Sequence, residues 1–290
     1  MAAPLAMADQ CEDSAKPKQF NKDTAMEAIF CEYNREHGGT LLPLENTRSW
    51  DIRSSDTLVT PILTATYLEG NVQKGVLALQ RQMLESTGEP VASHGQQATV
   101  SVYVFRFDGE RWVFEKGKTT ATEAGTYGSA PDGRLAKIGP DKYGILFEGG
   151  WAGQGYFTSY ALIVNLSGQT ILEAGAFDTG QSNSGACAEE PEQQEGAIGA
   201  CWSYEGRPEF IAAQGSPYYM LRIAYQGTES GDVNLPEEVA PKDDPVCYTL
   251  TGRKYVEARD PSCASYQALD AGAIFGGTEE ESRTRPGRSR

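Results

Sequence analysis

The chain reads as all-β, mainly antiparallel and sandwich-like or propeller-like, with one N-terminal α-helix and disulfide staples. Three observations predict this. Apolar, β-branched segments recur between turn dipeptides; residues 99–107, Asp108-Gly109 and 111–114 make the clearest hairpin. Glycine is frequent, at 32 of 290 residues, and aromatics make up 10%, a pairing that suits turn-rich structure with aromatic strands. The six cysteines Cys11, Cys31, Cys187, Cys201, Cys247 and Cys263 fall as three pairs of sequence neighbours, which predicts disulfides and an oxidising compartment.

Residues 1–8 end in Ala6-Met7-Ala8, the small-x-small form that precedes a signal-peptidase cut, without a positive n-region or a full apolar h-region. Residues 1–20 are therefore read as a signal-peptide remnant and flexible leader, ahead of a mainly β domain over 21–275. Residues 22–36 fit a helix, capped by Asp23 or Thr24, with Ala25, Ile29, Phe30 and Tyr33 near one face and Gly38-Gly39 at its end. Residues 40–56 are irregular, with Trp50 as a packing anchor. Pro61 makes 57–68 an edge or bulged strand. Residues 72–84 suit a strand by context and a short helix by propensity; the strand is taken.

In 99–107, Val100, Val102 and Val104 alternate with Tyr103, Phe105 and Phe107, so this strand is covered on both faces. Residues 115–142 carry turn signals. Residues 143–147 are apolar, 149–155 read as a glycine-rich loop, and a long strand over 157–166 turns at Ser167-Gly168. A further strand covers 217–226, and a hairpin over 246–257 turns at Thr251-Gly252. Residues 228–245 read as loop or linker and would hold any internal boundary. Residues 276–290 read as a disordered tail.

The net charge of −15 and the scatter of only 25 Lys and Arg residues argue against nucleic acid and favour a basic protein partner. No apolar run approaches the ~20 residues of a membrane helix. Local pairing gives Cys11–Cys31, Cys187–Cys201 and Cys247–Cys263. With no C-x-x-C and only His37 and His94, no zinc site is expected. The oxygen-rich set of Asp178, Asn183 and 189–195 lacks the ligand spacing of a calcium loop. No nucleotide-binding motif is present, so no cofactor is expected.

Asp178-Thr179-Gly180 is the triplet used by aspartic proteases, but their chemistry needs a second such carboxylate, and the chain has none; the triplet reads as a turn into a loop. There is no G-x-S-x-G elbow. His94, in a polar stretch, is the better of two poor candidates for a general base. Glu148, at a strand end beside Gly149-Gly150-Trp151, and Asp178 are the carboxylates to consider for glycoside hydrolysis.

The aromatic loops say more. Trp151, Tyr156 and Phe157 lie near glycines, and Trp202 and Tyr204 follow an expected disulfide cysteine, where a constrained loop loses little entropy on binding. The expectation is an exported, acidic protein of the periplasm or extracellular space. It binds or inhibits a partner protein through Trp151, Tyr156, Trp202 and Tyr204. The alternatives are a secreted hydrolase acting on polysaccharide, with a glycan in place of the protein partner, and a structural envelope protein.

Overall fold

The computed structural model describes residues 17–43, 56–187, 200–213, 215–232, 235–260, 262–275 and 278–279. The first element is α1 (Lys22–Phe30). Asn21, in an extended conformation, caps it. Its side chain accepts from the Thr24 N–H at 3.0 Å, and Thr24 Oγ1 accepts from the Asn21 N–H at 3.2 Å, a reciprocal capping box. The cap is thus Asn21 and not Asp23 or Thr24.

The helix also stops earlier than its pattern suggests. Cys31 adopts a left-handed conformation, φ 59°, and its N–H closes on the Glu27 carbonyl. Gly38-Gly39 lies in the turn beyond, where Gly39 pairs with Asn34. A Cβ at Gly39 would fall 2.7 Å from the Val59 carbonyl oxygen, so only glycine lets this turn lie against the neighbouring strand.

Strands β1 (Thr40–Leu42), β2 (Thr57–Glu69), β3 (Val72–Met83), β4 (Ala98–Phe107) and β5 (Trp112–Ala124) form one antiparallel sheet in sequential order. The second sheet runs β6 (Gly133–Gly139), β7 (Lys142–Gly153), β8 (Tyr156–Asn165), β9 (Leu172–Ser182), β10 (Ser203–Ile211), β11 (Met220–Asp232), β13 (Val246–Thr251) and β14 (Lys254–Glu257), with β12 (Leu235–Pro241) also on β11. A short helix, α2 (Ala271–Phe275), precedes β15 (Thr278–Glu279), which pairs with β2.

The sheets pack face to face. Leu63, Val76, Val100, Val102 and Val104 of the first meet Leu135, Ile145, Phe147, Leu162 and Val164 of the second, so the fold is a sandwich rather than a propeller. The outer face of the first sheet is also buried: Leu77, Leu79, Tyr103 and Phe105 lie under Met26, Ile29 and Phe30 of α1. This accounts for apolar residues on both sides of β4. On the second sheet, Ile138, Leu146, Ile163 and Phe177 pack with Phe210, Ile223, Tyr255 and Ile274.

Two expected disulfides are present, Cys187–Cys201 and Cys247–Cys263. Cys31 is also disulfide-bonded, while Cys11 lies outside the described residues, as do residues 1–16, Trp50, 188–199 and 280–290. Pro61 introduces the expected bulge, with register shifting between Pro61 and Leu63.

Three stretches read as loop are strand. Residues 115–124 continue β5, and 133–139 form β6. Gly149, Gly150 and Gly153 lie within β7, where neighbouring atoms occupy the space a side chain would take: a Cβ on Gly149 would meet the Tyr160 side chain, and one on Gly150 the Thr158 carbonyl oxygen and the Phe157 ring. Residues 228–232 and 235–241 belong to β11 and β12, where strand pairing overrides a composition of Pro, Glu and Gly.

Candidate functional site

The end of the sandwich away from the β2–β3 turn carries the exposed side chains of Tyr127, Trp151 and Phe157. Burial along β7 is complete from Gly144 to Phe147 and opens from Glu148 onward. Trp151 therefore sits on a hydrogen-bonded strand, opposite Thr158, yet is 45% exposed. Two connections from the first sheet reach it. His94, between β3 and β4, meets Trp151 edge-on at 6.2 Å and Tyr127, between β5 and β6, at 5.2 Å. His94 Nε2 also contacts the Ala152 carbonyl oxygen. Tyr127 is 52% exposed. Phe157, 47% exposed, lies across from Ala152 and so on the opposite face of the strand pair from Trp151.

Register extends this patch sideways. Trp151 opposes Thr158, Thr158 opposes Gln181, and Gln181 opposes Tyr204. Directly opposed residues of an antiparallel pair project from the same face, so Trp151 and Tyr204 stand in one row across β7 to β10. Three strand spacings put their backbones about 14 Å apart. Trp202 stacks on Tyr204 with centroids 6.4 Å apart and planes 16° apart, and Tyr204 meets Tyr225 of β11 edge-on at 5.6 Å.

Asn183 positions the Trp202 end. This residue is buried, with its Nδ2 donating to the Ala200 carbonyl at 2.8 Å and its Oδ1 accepting from the Trp202 N–H at 2.8 Å. Its carbonyl accepts from the Ala186 and Cys187 amides. The β7–β8 turn docks against the same segment. Gly155, at φ 82°, accepts from the Gly185 N–H at 2.9 Å, and a Cβ on Gly155 would lie 2.5 Å from the Gly185 carbonyl carbon. Tyr156, next in sequence, starts β8 half-buried. The aromatics thus stand on strand ends clamped by backbone contacts.

Burial is the main cause that raises the Tyr204 and Tyr225 hydroxyls above the usual tyrosine range, with the Asp178 and Glu229 charges adding to it. Both remain neutral hydroxyls at ordinary pH.

The carboxylates singled out for hydrolysis are kept apart. Glu148 opposes Ala161 and is ion-paired with Arg134 at 2.7 Å. Asp178 opposes Tyr160, the adjacent position on β8. Neighbouring β positions project to opposite faces, so Glu148 and Asp178 do not converge on one cleft. Asp178-Thr179-Gly180 is no turn; it lies inside β9, bulged between Gly180 and Asp178, with the Thr179 hydroxyl donating to Ser159 Oγ at 3.1 Å. His94 faces the Tyr127 and Trp151 rings and the Ala152 carbonyl oxygen. Among the described residues no group of His, Cys, Asp and Glu could hold a metal, and no helix is long and apolar enough to cross a membrane.

Sequence reasoning passed over Tyr127 and Tyr225, and weighed Asn183 only as a member of an oxygen-rich set. Tyr127 carries the signal that marked Trp151, an aromatic flanked by glycines, at Gly125 and Gly128. Tyr225 and Asn183 carry no local signal, because their role comes from cross-strand partners.

No protein-family model matches the chain, and comparison with curated proteins and with solved structures returns no match.

Proposed function

We propose that this chain is an exported recognition protein that binds or inhibits a partner protein through the aromatic row from Trp151 to Tyr204 and Trp202. The observation that carries this reading is the exposure of Trp151 and Tyr127 on backbone held by strand pairing and turn contacts. Large aromatics on preorganised backbone are the side chains that dominate protein interfaces, since they bury much area and lose little entropy. The disulfides fit a non-cytoplasmic protein, and the net charge of −15 favours a basic partner.

The test is affinity capture from the exported fraction of the native host, with identification by mass. One stoichiometric protein is expected. It should be lost with Trp151→Ala and with Trp202→Ala, in chains whose circular dichroism matches the parent. Retention of a glycan, or turnover of a polysaccharide panel, with no protein captured, overturns the reading.

A further inference from the structure

At the Tyr204 end of the row lies a recess that already holds a cation. The Lys242 ammonium sits 5.5 Å from the Tyr204 ring centroid and 5.3 Å from that of Tyr225. Glu229 Oε2 lies 2.8 Å from Lys242 Nζ. The Tyr225 hydroxyl donates to the Asp178 carbonyl at 2.8 Å, which fixes the ring. The charges of Asp178 and Glu229 act on both tyrosines, so the recess is negative as well as aromatic. Two rings and a carboxylate around one ammonium form the kind of site that recognises alkylammonium groups.

The occupant is held loosely. The Lys242 side chain is 29% exposed and that of Glu229 38%, and solvent-reached ion pairs of this kind contribute little. The backbone of Lys242 is anchored separately, through its N–H to the Gly227 carbonyl at 2.9 Å. The side chain can therefore leave without displacing its backbone.

We infer that the recess of Tyr204, Tyr225 and Glu229 is an ammonium-binding site occupied by the chain's own Lys242, and that a lysine of a basic partner protein displaces Lys242 on docking. This rests on the recognition reading above and names the chemistry of the partner. Approach of such a partner is favoured by the net charge of −15.

The test needs no partner. Tetramethylammonium is titrated calorimetrically into the full chain at constant ionic strength. Lys242→Ala and Lys242→Gln should each bind it about tenfold more tightly than the parent chain, because the internal competitor is gone. Adding Tyr225→Leu should abolish that binding, while adding Tyr225→Phe, which keeps the ring, should retain it. The inference is overturned if neither Lys242 variant shows saturable binding while folded, if parent and variants bind equally, or if Tyr225→Leu leaves binding intact. Failure of partner capture while the Lys242 variants still bind tetramethylammonium counts against the recognition reading, not against the recess.

Discussion

Replacing Asn183 with alanine would show how firmly the aromatic row is held. The substitution removes the donor to the Ala200 carbonyl and the acceptor for the Trp202 amide, both at 2.8 Å. Asn183 is 2% exposed, so water does not take its place from the inside. Stranding a buried polar group costs about 1–3 kcal/mol. Ala200 and Trp202 are themselves half-buried, and partial rehydration puts the sum for the two groups at about 2–3 kcal/mol. Urea unfolding followed by tryptophan fluorescence measures the loss. Near-ultraviolet circular dichroism reports whether Trp202 still stacks on Tyr204. The Cys187–Cys201 bond holds the same segment, and removing it costs roughly 3 kcal/mol in the chain-entropy picture. Combining Asn183→Ala with Cys187→Ser and Cys201→Ser should therefore lose less than the sum, by at least about 0.5 kcal/mol. A loss below about 0.5 kcal/mol for Asn183→Ala with an unchanged near-ultraviolet spectrum, or strict additivity with the cysteine variants, would refute the reasoning.

Gly155→Ala should destabilise by about 1–3 kcal/mol, from the left-handed backbone and the contact with Gly185; a smaller change in urea midpoint would mean that the turn moves freely. Trp151→Ala, at a half-exposed site, should shift stability by less than about 1 kcal/mol while weakening partner capture by at least about tenfold. Replacing Cys247 and Cys263 by alanine should cost about 3 kcal/mol for a separation of 16 residues, read from the denaturation midpoint under non-reducing conditions. Burial pushes the Glu69 carboxyl up, but hydrogen bonds from Lys74 and Ser167 and the charges of Lys74 and Lys116 outweigh it and hold the group below its usual 4.5. A depressed folded-state pKa stabilises above the unfolded value and ceases to do so as pH falls through the folded one. The stability gap between the parent and Glu69→Gln should therefore be full at about pH 6 and shrink below about pH 4.5; a gap constant across urea midpoints over that range would contradict it.

Much of the architecture was legible in the sequence because it is local. The two-sided alternation at Val100–Val104 and Tyr103–Phe105 requires cover on both faces, and α1 and the second sheet provide it. The pairing of Cys187 with Cys201 and of Cys247 with Cys263 follows from proximity along the chain. The misread stretches share one cause. Glycine and proline signal turns by their own conformational range, but at Gly149 and Gly150 the glycines make room for atoms of a neighbouring strand. Glu148 and Asp178, the carboxylates considered for hydrolysis, are likewise separated by something not written locally, the register on β8.

The sequence by itself determined the fold class, the disulfide partners that lie close in the chain, and aromatic residues among glycines and beside a disulfide cysteine as the points of interest. Only the tertiary structure decided which of those aromatics share a row, how Asn183 and Gly155 hold them, and that Lys242 fills the recess of Tyr204 and Tyr225. Periodicity and turn chemistry act over a few residues and are written in the chain. Cross-strand register joins residues as far apart as Trp151 and Tyr204, and it is set by the sum of packing over the whole sheet.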